Sequence, residues 1–323
     1  MAIFFTLAGM VCLVFMFGPR PKLRAVPQTN QIPDLPVAQL ADWLAETEAA
    51  VANLDANKAA HIQWAEPSNP EKTRLSFLYV HGFSATWRET APVTEKLAAH
   101  FKANIVQGRL KGHGTGPAGM LATAEDWLQS LSDQFELAQK IGDKVIIVAT
   151  STGAPLSVWL TSQPELAAKI HACLFMSPNF RVRSRMGFLL TWPWSKYWIH
   201  FIVGRKVGAE AASEAEASCW TSQYSSLALI EMQKTVDWAT AQNTDLIHTP
   251  VSMMYMVNDG TIYPPAAIDM FNRWNSKLKH LYRVTLDGEA AEHVFAGDIT
   301  APHRTDWCVQ MFTEFLEKVD AEP

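Results

Sequence analysis

The sequence predicts an α/β fold: a mostly parallel sheet flanked by helices, with an inserted helical cap and an N-terminal hydrophobic segment. Three observations carry this. Short runs rich in β-branched residues alternate with stretches of helical period along most of the chain, the pattern of parallel strands joined by crossover helices. The alternation stops between residues 179 and 250, where no convincing strand pattern occurs and bulky side chains crowd together. Residues 2–18 form an apolar run without a charge, followed by Arg20, Lys22 and Arg24.

Composition narrows the function before any motif is read. The 323 residues are 48% hydrophobic, enough for one large core with an insertion. With a formal net charge of −5 and no basic block after residue 24, the chain lacks the footprint of a nucleic-acid binder. Its four cysteines, Cys12, Cys173, Cys219 and Cys308, are scattered, without CxxC spacing or a Cys/His cluster. That argues against a disulfide framework and a metal centre, and fits a reducing compartment.

At the N-terminus, the apolar run 1–18 sits at the lower limit for a spanning helix, which needs roughly 20 residues. A cleaved secretory signal wants a charged start and a small-x-small cleavage site. Here the only charge ahead of the run is the terminal amine, and no such site follows Gly18. A retained membrane anchor is therefore expected, its basic flank holding the body of the protein in the cytoplasm. Export with a signal peptide is the alternative. Residues 19–36, with Pro19, Pro21, Pro27, Pro33 and Pro36, read as a proline-rich linker or extended arm.

The elements follow in order. Leu40, Leu44, Val51 and Leu54 give helical spacing over 37–54, and 61–64 is a short strand. A buried strand over 75–80 ends in His81-Gly82-Phe83-Ser84. A helix over 92–101, a strand over 104–107 and a glycine-rich loop come next. Thr123 as N-cap and Asp126 in the first turn start a helix over 124–140. The strand run Val145-Ile146-Ile147-Val148 stops at Ala149-Thr150-Ser151-Thr152-Gly153, and a helical segment begins. Strands over 171–176, 251–257 and 281–286 complete the sheet, with helices over 265–274 and 305–319. Between them, Phe188, Trp192, Trp194, Tyr197, Trp198 and Phe201 belong to the cap, over the strand ends where such sheets bind ligands. These rings either fill the cap's own core or face a substrate or a membrane surface.

The turn at residue 151 carries the chemistry. A serine with small residues two positions away on both sides, between a strand and a helix, is the nucleophile-elbow arrangement. The turn lifts the hydroxyl above the strand end, and the small residues let strand and helix backbones approach. The N–H of Thr152 then faces a developing oxyanion. A serine nucleophile needs a general base, an acid to orient it and a second oxyanion donor. His293 fits the base, in a glycine-containing loop beyond the last strand, with His303 as the backup at the start of the final helix. Asp259 fits the acid, directly after the 251–257 strand, although an Asn-Asp-Gly turn needs no catalytic explanation. Asp287 and Glu292 compete with it through nearness to His293 in sequence. The N–H of Phe83 is the second donor, with Gly82 permitting the backbone that turns it inward. His81 and His113 read as structural hydrogen-bonding residues rather than bases.

Taken together, HGFSAT, GRLKGHGT, EDWLQSL, ATSTGA, NDG and EHVFAG resemble the α/β-hydrolase superfamily, in particular bacterial carboxylesterases and monoacylglycerol lipases. The resemblance spans roughly residues 60–320 and departs at Ala149, where the elbow pattern has glycine. It implies a Ser151–Asp259–His293 triad, an oxyanion hole from Phe83 and Thr152, a core of residues 37–178 and 251–323, and a cap over 179–250. The implied activity is hydrolysis of carboxylic esters of acyl-chain or lipid-like type, with no cofactor. Thioesterase or acyltransferase chemistry on the same triad, or a non-catalytic binding protein, are the alternatives. The expected partners are a small-molecule acyl ester and, through residues 1–18, a membrane. Oligomeric state is left open.

Overall fold

A computed structural model of the chain describes residues 15–25, 32–285 and 292–322. Most of the expected anchor, part of the proline-rich arm and the loop containing Asp287 lie outside the described residues. Among the described residues, no helix is long and apolar enough to cross a membrane.

Helix α1 (Leu40–Ala49) precedes β1 (His61–Gln63), β2 (Thr73–Val80), α2 (Val93–Phe101), β3 (Asn104–Gln107) and α3 (Ala124–Ile141). Then come β4 (Gly142–Thr150), α4 (Gly153–Thr161), α5 (Pro164–Ala167) and β5 (Ile170–Met176). The 179–250 segment holds α6 (Ser195–Val203), β6 (Lys206–Val207), α7 (Glu214–Cys219), β7 (Tyr224–Ser225) and α8 (Ala228–Thr240). The chain closes with β8 (Val251–Met256), α9 (Pro264–Arg273), β9 (Lys279–Val284) and α10 (Pro302–Ala321).

Seven strands form one sheet in the order β1-β3-β2-β4-β5-β8-β9. Every pairing is parallel except β1 with β3. The central strands are apolar on both faces because both faces are covered. Successive side chains of β2 point to opposite sides. Leu78 and Val80 join a core with Trp127 and Leu131 of α3 and Leu156 of α4. Phe77 and Tyr79 join another with Val93 and Leu97 of α2 and Phe312 and Leu316 of α10. At about 25 cal/mol per Å² of apolar surface, these two layers are the main source of stability.

Three differences from the sequence expectation have local causes. Helix α1 stops at Ala49, short of residue 54, because Asn53 takes a left-handed backbone (φ 60°) and Asp55 caps a new turn through the Asn57 N–H. The 179–250 segment contains the antiparallel ribbon β6–β7, where no convincing strand pattern occurs; two residues per strand are too few to show a period. Helix α10 starts at Pro302, ahead of the expected 305, since proline suits the first helical turn. Elsewhere β3 spans the expected 104–107, and α3 carries a capping box between Thr123 and Asp126. The described part of the proline-rich arm lies against the body. Arg24 N–H donates to Glu125 (2.9 Å), and Leu23 and Leu35 pack on the core.

Candidate active site

The carboxyl ends of β2, β4, β5 and β8 share one edge of the sheet, so the turns that follow them meet there. After β4, Ser151 sits at φ 51°, a left-handed backbone uncommon for a residue with a Cβ. Two hydrogen bonds hold it: Ser151 N–H to Met176 C=O, and Asn179 N–H to Ser151 C=O, each 3.0 Å. Gly153 permits the close crossing of α4 and β2, since a Cβ there would overlap the Val80 carbonyl. Ala149, where the elbow pattern has glycine, lies buried in register between Val80 and Phe175, so its methyl is simply packed.

Ser151, His293 and Asp259 come together although they are far apart in sequence. His293 Nε2 lies 2.8 Å from Ser151 Oγ, and His293 Nδ1 lies 2.7 Å from Asp259 Oδ2. A carboxylate only accepts, so Nδ1 carries the proton and Nε2 is left to accept from the serine hydroxyl. The other carboxylate oxygen, Oδ1, accepts from the N–H groups of Thr261 (2.7 Å) and Ile262 (3.0 Å). Burial pushes the Asp259 carboxyl up, but the His293 bond, its charge and these two N–H donors outweigh burial and hold it below the usual range. Ser177, at the end of β5, donates its hydroxyl to the His293 C=O (2.5 Å). Arg183 donates to the Asp259 C=O (2.8 Å), tying that loop to the 179–250 segment.

The rival residues stand elsewhere. Glu292 pairs with Arg304 at 3.6 Å, His303 lies in the first turn of α10, and Asp287 is outside the described residues. His81 Nδ1 donates to the Gly82 C=O (2.8 Å), and its Nε2 accepts the Leu110 N–H (3.0 Å). Burial lowers its pKa to about 4, so it is a neutral tie between two loops. The His113 ring packs against His81, with centroids 4.7 Å apart.

The loop after β2 runs beside Ser151: a Cβ on Gly82 would come within 3.1 Å of the Ser151 Cβ. Glu89, fully buried, receives the Gly82 N–H (2.5 Å) and the Tyr79 hydroxyl (2.9 Å) on one oxygen. Among the described residues, the N–H groups of Phe83 and Thr152 donate to no other group. Burial raises the Glu89 carboxyl to about 8. Residues of the 179–250 segment clasp the same loop. Thr221 N–H donates to the Ser84 C=O (2.7 Å), and the Tyr224 ring meets the Phe83 ring edge-on at 5.2 Å. Glu89, Ser177 and this clasp escape sequence reasoning. A glutamate in a short polar stretch gives no sign that it will be buried.

A family model described as the alpha/beta hydrolase family matches residues 77–292. The chain belongs to that family. Solved structures of similar fold include a metagenome-derived lipolytic enzyme from a study of LipS and LipT, with TM-score 0.65 and 17% identity, covering 82% of this chain and 99% of that one. The monoacylglycerol lipase of Paleococcus ferrophilus gives 0.59 and 14%, covering 80% and 98%. A soluble variant of Saccharomyces cerevisiae monoglyceride lipase gives 0.60 and 12%, covering 81% and 91%. At such identities these alpha/beta hydrolases share the fold with this chain, and the fold alone does not fix the reaction. No curated protein matches the sequence.

Proposed function

We propose that this alpha/beta hydrolase is a serine esterase that cleaves carboxylic esters of acyl-chain or lipid-like type through an acyl-enzyme on Ser151. The observation that carries the reading is the continuous hydrogen-bond chain from Ser151 through His293 to Asp259. His293 Nε2 takes the serine proton as Oγ attacks the ester carbonyl carbon. The oxyanion is met by the N–H groups of Phe83 and Thr152, and Asp259 stabilises the imidazolium. The carbonyl–alkoxide bond breaks as His293 passes the proton to the leaving alcohol. Water, losing its proton to His293, then attacks the acyl carbon, and Ser151 Oγ leaves with that proton as the acid is released.

In this reading Glu89 fixes the oxyanion loop by occupying the Gly82 N–H, so that the next N–H is free for substrate. Residues 37–178 and 251–323 are the catalytic core, and 179–250 are the cap whose apolar side chains favour an acyl chain. Lipases among the structures of similar fold favour the same substrate class. The apolar run over 1–18 and its basic flank favour an anchor with the catalytic body in the cytoplasm. Resistance to carbonate extraction is the expected outcome; a soluble chain lacking its first residues overturns the anchor.

Labelling by a fluorophosphonate probe tests the catalytic assignment. The wild-type chain should be labelled and Ser151→Ala should not; a folded wild-type chain that resists the probe overturns it. A series of p-nitrophenyl esters and acyl thioesters reads the substrate class. Efficiency should rise with acyl-chain length, and a preference for thioesters would reassign the leaving group.

A further inference from the structure

We infer that the cap carries a second, separate binding face, one that lies on the surface of an anionic lipid bilayer. It requires neither the triad nor an inserted N-terminal run. Among the described residues, eight of the twelve exposed large apolar side chains fall within residues 16–17 and 186–203. Phe17 and Phe201 are 85% and 79% exposed, and Tyr197, Ile202 and Val203 stand out from the same helix, α6. Only Ser195 and Ile199 of α6 are buried, Ile199 in a small cluster with Leu190 and Ile230. A helix held by one turn, with most of its apolar side chains in water, lacks a partner surface.

Contacts join the arm to the 186–203 segment. Phe15 meets the Trp192 ring edge-on at 6.1 Å, Trp192 meets Phe188 at 5.8 Å, and Trp194 N–H donates to the Pro19 C=O at 2.9 Å. A groove of about 980 Å³ beside the arm is lined by Arg20, Lys22, Arg24 and Lys196, with Glu125 and Glu231 on its wall paired to Lys234.

Two features identify the occupant. Charge is segregated: residues 15–25 and 186–209 hold Arg20, Lys22, Arg24, Lys196, Arg205 and Lys206 and no acidic residue. The rest of the chain holds 21 cations (27 less these six) against 32 acids. Tryptophan, tyrosine and phenylalanine beside lysine and arginine match the headgroup layer of a membrane with negative lipids. A second copy of this chain would bring the same cations face to face. The sequence ahead of Phe15 is apolar and uncharged, and Phe15 itself packs on the Trp192 ring of this face.

The test uses the full chain with vesicles of phosphatidylcholine, alone or mixed with phosphatidylserine, and follows co-sedimentation. Wild type should prefer the mixed vesicles. Phe201→Ser with Ile202→Ser should weaken binding to both by about tenfold or more. Lys196→Glu with Arg205→Glu and Lys206→Glu should abolish the preference for phosphatidylserine. If all three chains partition alike, the N-terminal run explains the binding and the inference fails. A variant-free measurement guards against misfolding: amide exchange over residues 195–207 of the wild-type chain should slow on mixed vesicles. Unchanged exchange there in vesicle-bound protein overturns the inference, as does a vesicle-free dimer that the apolar pair of substitutions dissolves.

Discussion

Asp259 uses its two oxygens differently, and the difference sets a sharp expectation. Because Oδ1 accepts two backbone N–H groups, Asp259→Asn must keep its carbonyl there and turn its NH₂ toward His293. Two donors cannot share a bond, so the imidazole moves its proton to Nε2 and can no longer accept from Ser151. The chain should stay folded while kcat falls by about 10⁴-fold. A loss below tenfold would mean that another acid orients His293. Glu89 gives a pH signature instead. Its folded pKa of about 8 exceeds its unfolded value, so the folded chain retains a proton that the unfolded chain releases. Stability from this group is complete below the unfolded carboxylate pKa and falls as pH rises toward about 8, by something on the order of 5 kcal/mol. Glu89→Gln imitates the neutral acid. Its melting temperature should gain on wild type between pH 5 and 8; a difference independent of pH would show that the carboxyl does not titrate there.

At the scale of elements, the crossing of β2, β4 and α4 is the contact that positions Ser151. Gly153→Ala would favour the helix by about 1 kcal/mol through propensity, yet its methyl overlaps a β2 carbonyl, a collision that rigid backbone cannot absorb cheaply. A net destabilisation of about 1–3 kcal/mol is expected in urea unfolding, with activity lost as Ser151 shifts. Neutral stability would mean that the crossing is looser than the contacts imply. Most elements were legible because a buried parallel strand writes a continuous apolar run. The elbow was legible because its backbone demands small residues. What sequence withheld depends on contacts between distant segments. Nothing near Glu89 announces that Gly82, seven residues earlier, will bond to it. The end of α1 is hidden in the sequence because Val51 and Leu54 keep helical spacing beyond Ala49, although Asn53 turns the chain between them.

At the scale of the molecule, the candidate site is assembled from both sides of the 179–250 segment. Ser151 and the Phe83 loop precede it, while Asp259 and His293 follow it. Strands β2, β4 and β5 lie side by side, but β8 joins β5 only after the whole 179–250 segment has been made. The clasp from Thr221 to Ser84 then closes that segment onto the loop beside Ser151. During synthesis the chain therefore makes Ser151 long before His293, the base of the proposed mechanism. Helix α10, last to emerge, covers the sheet face shared with α2. On the proposed mechanism, a nascent chain stays chemically silent until the segment that carries His293 has emerged and packed beside Ser151.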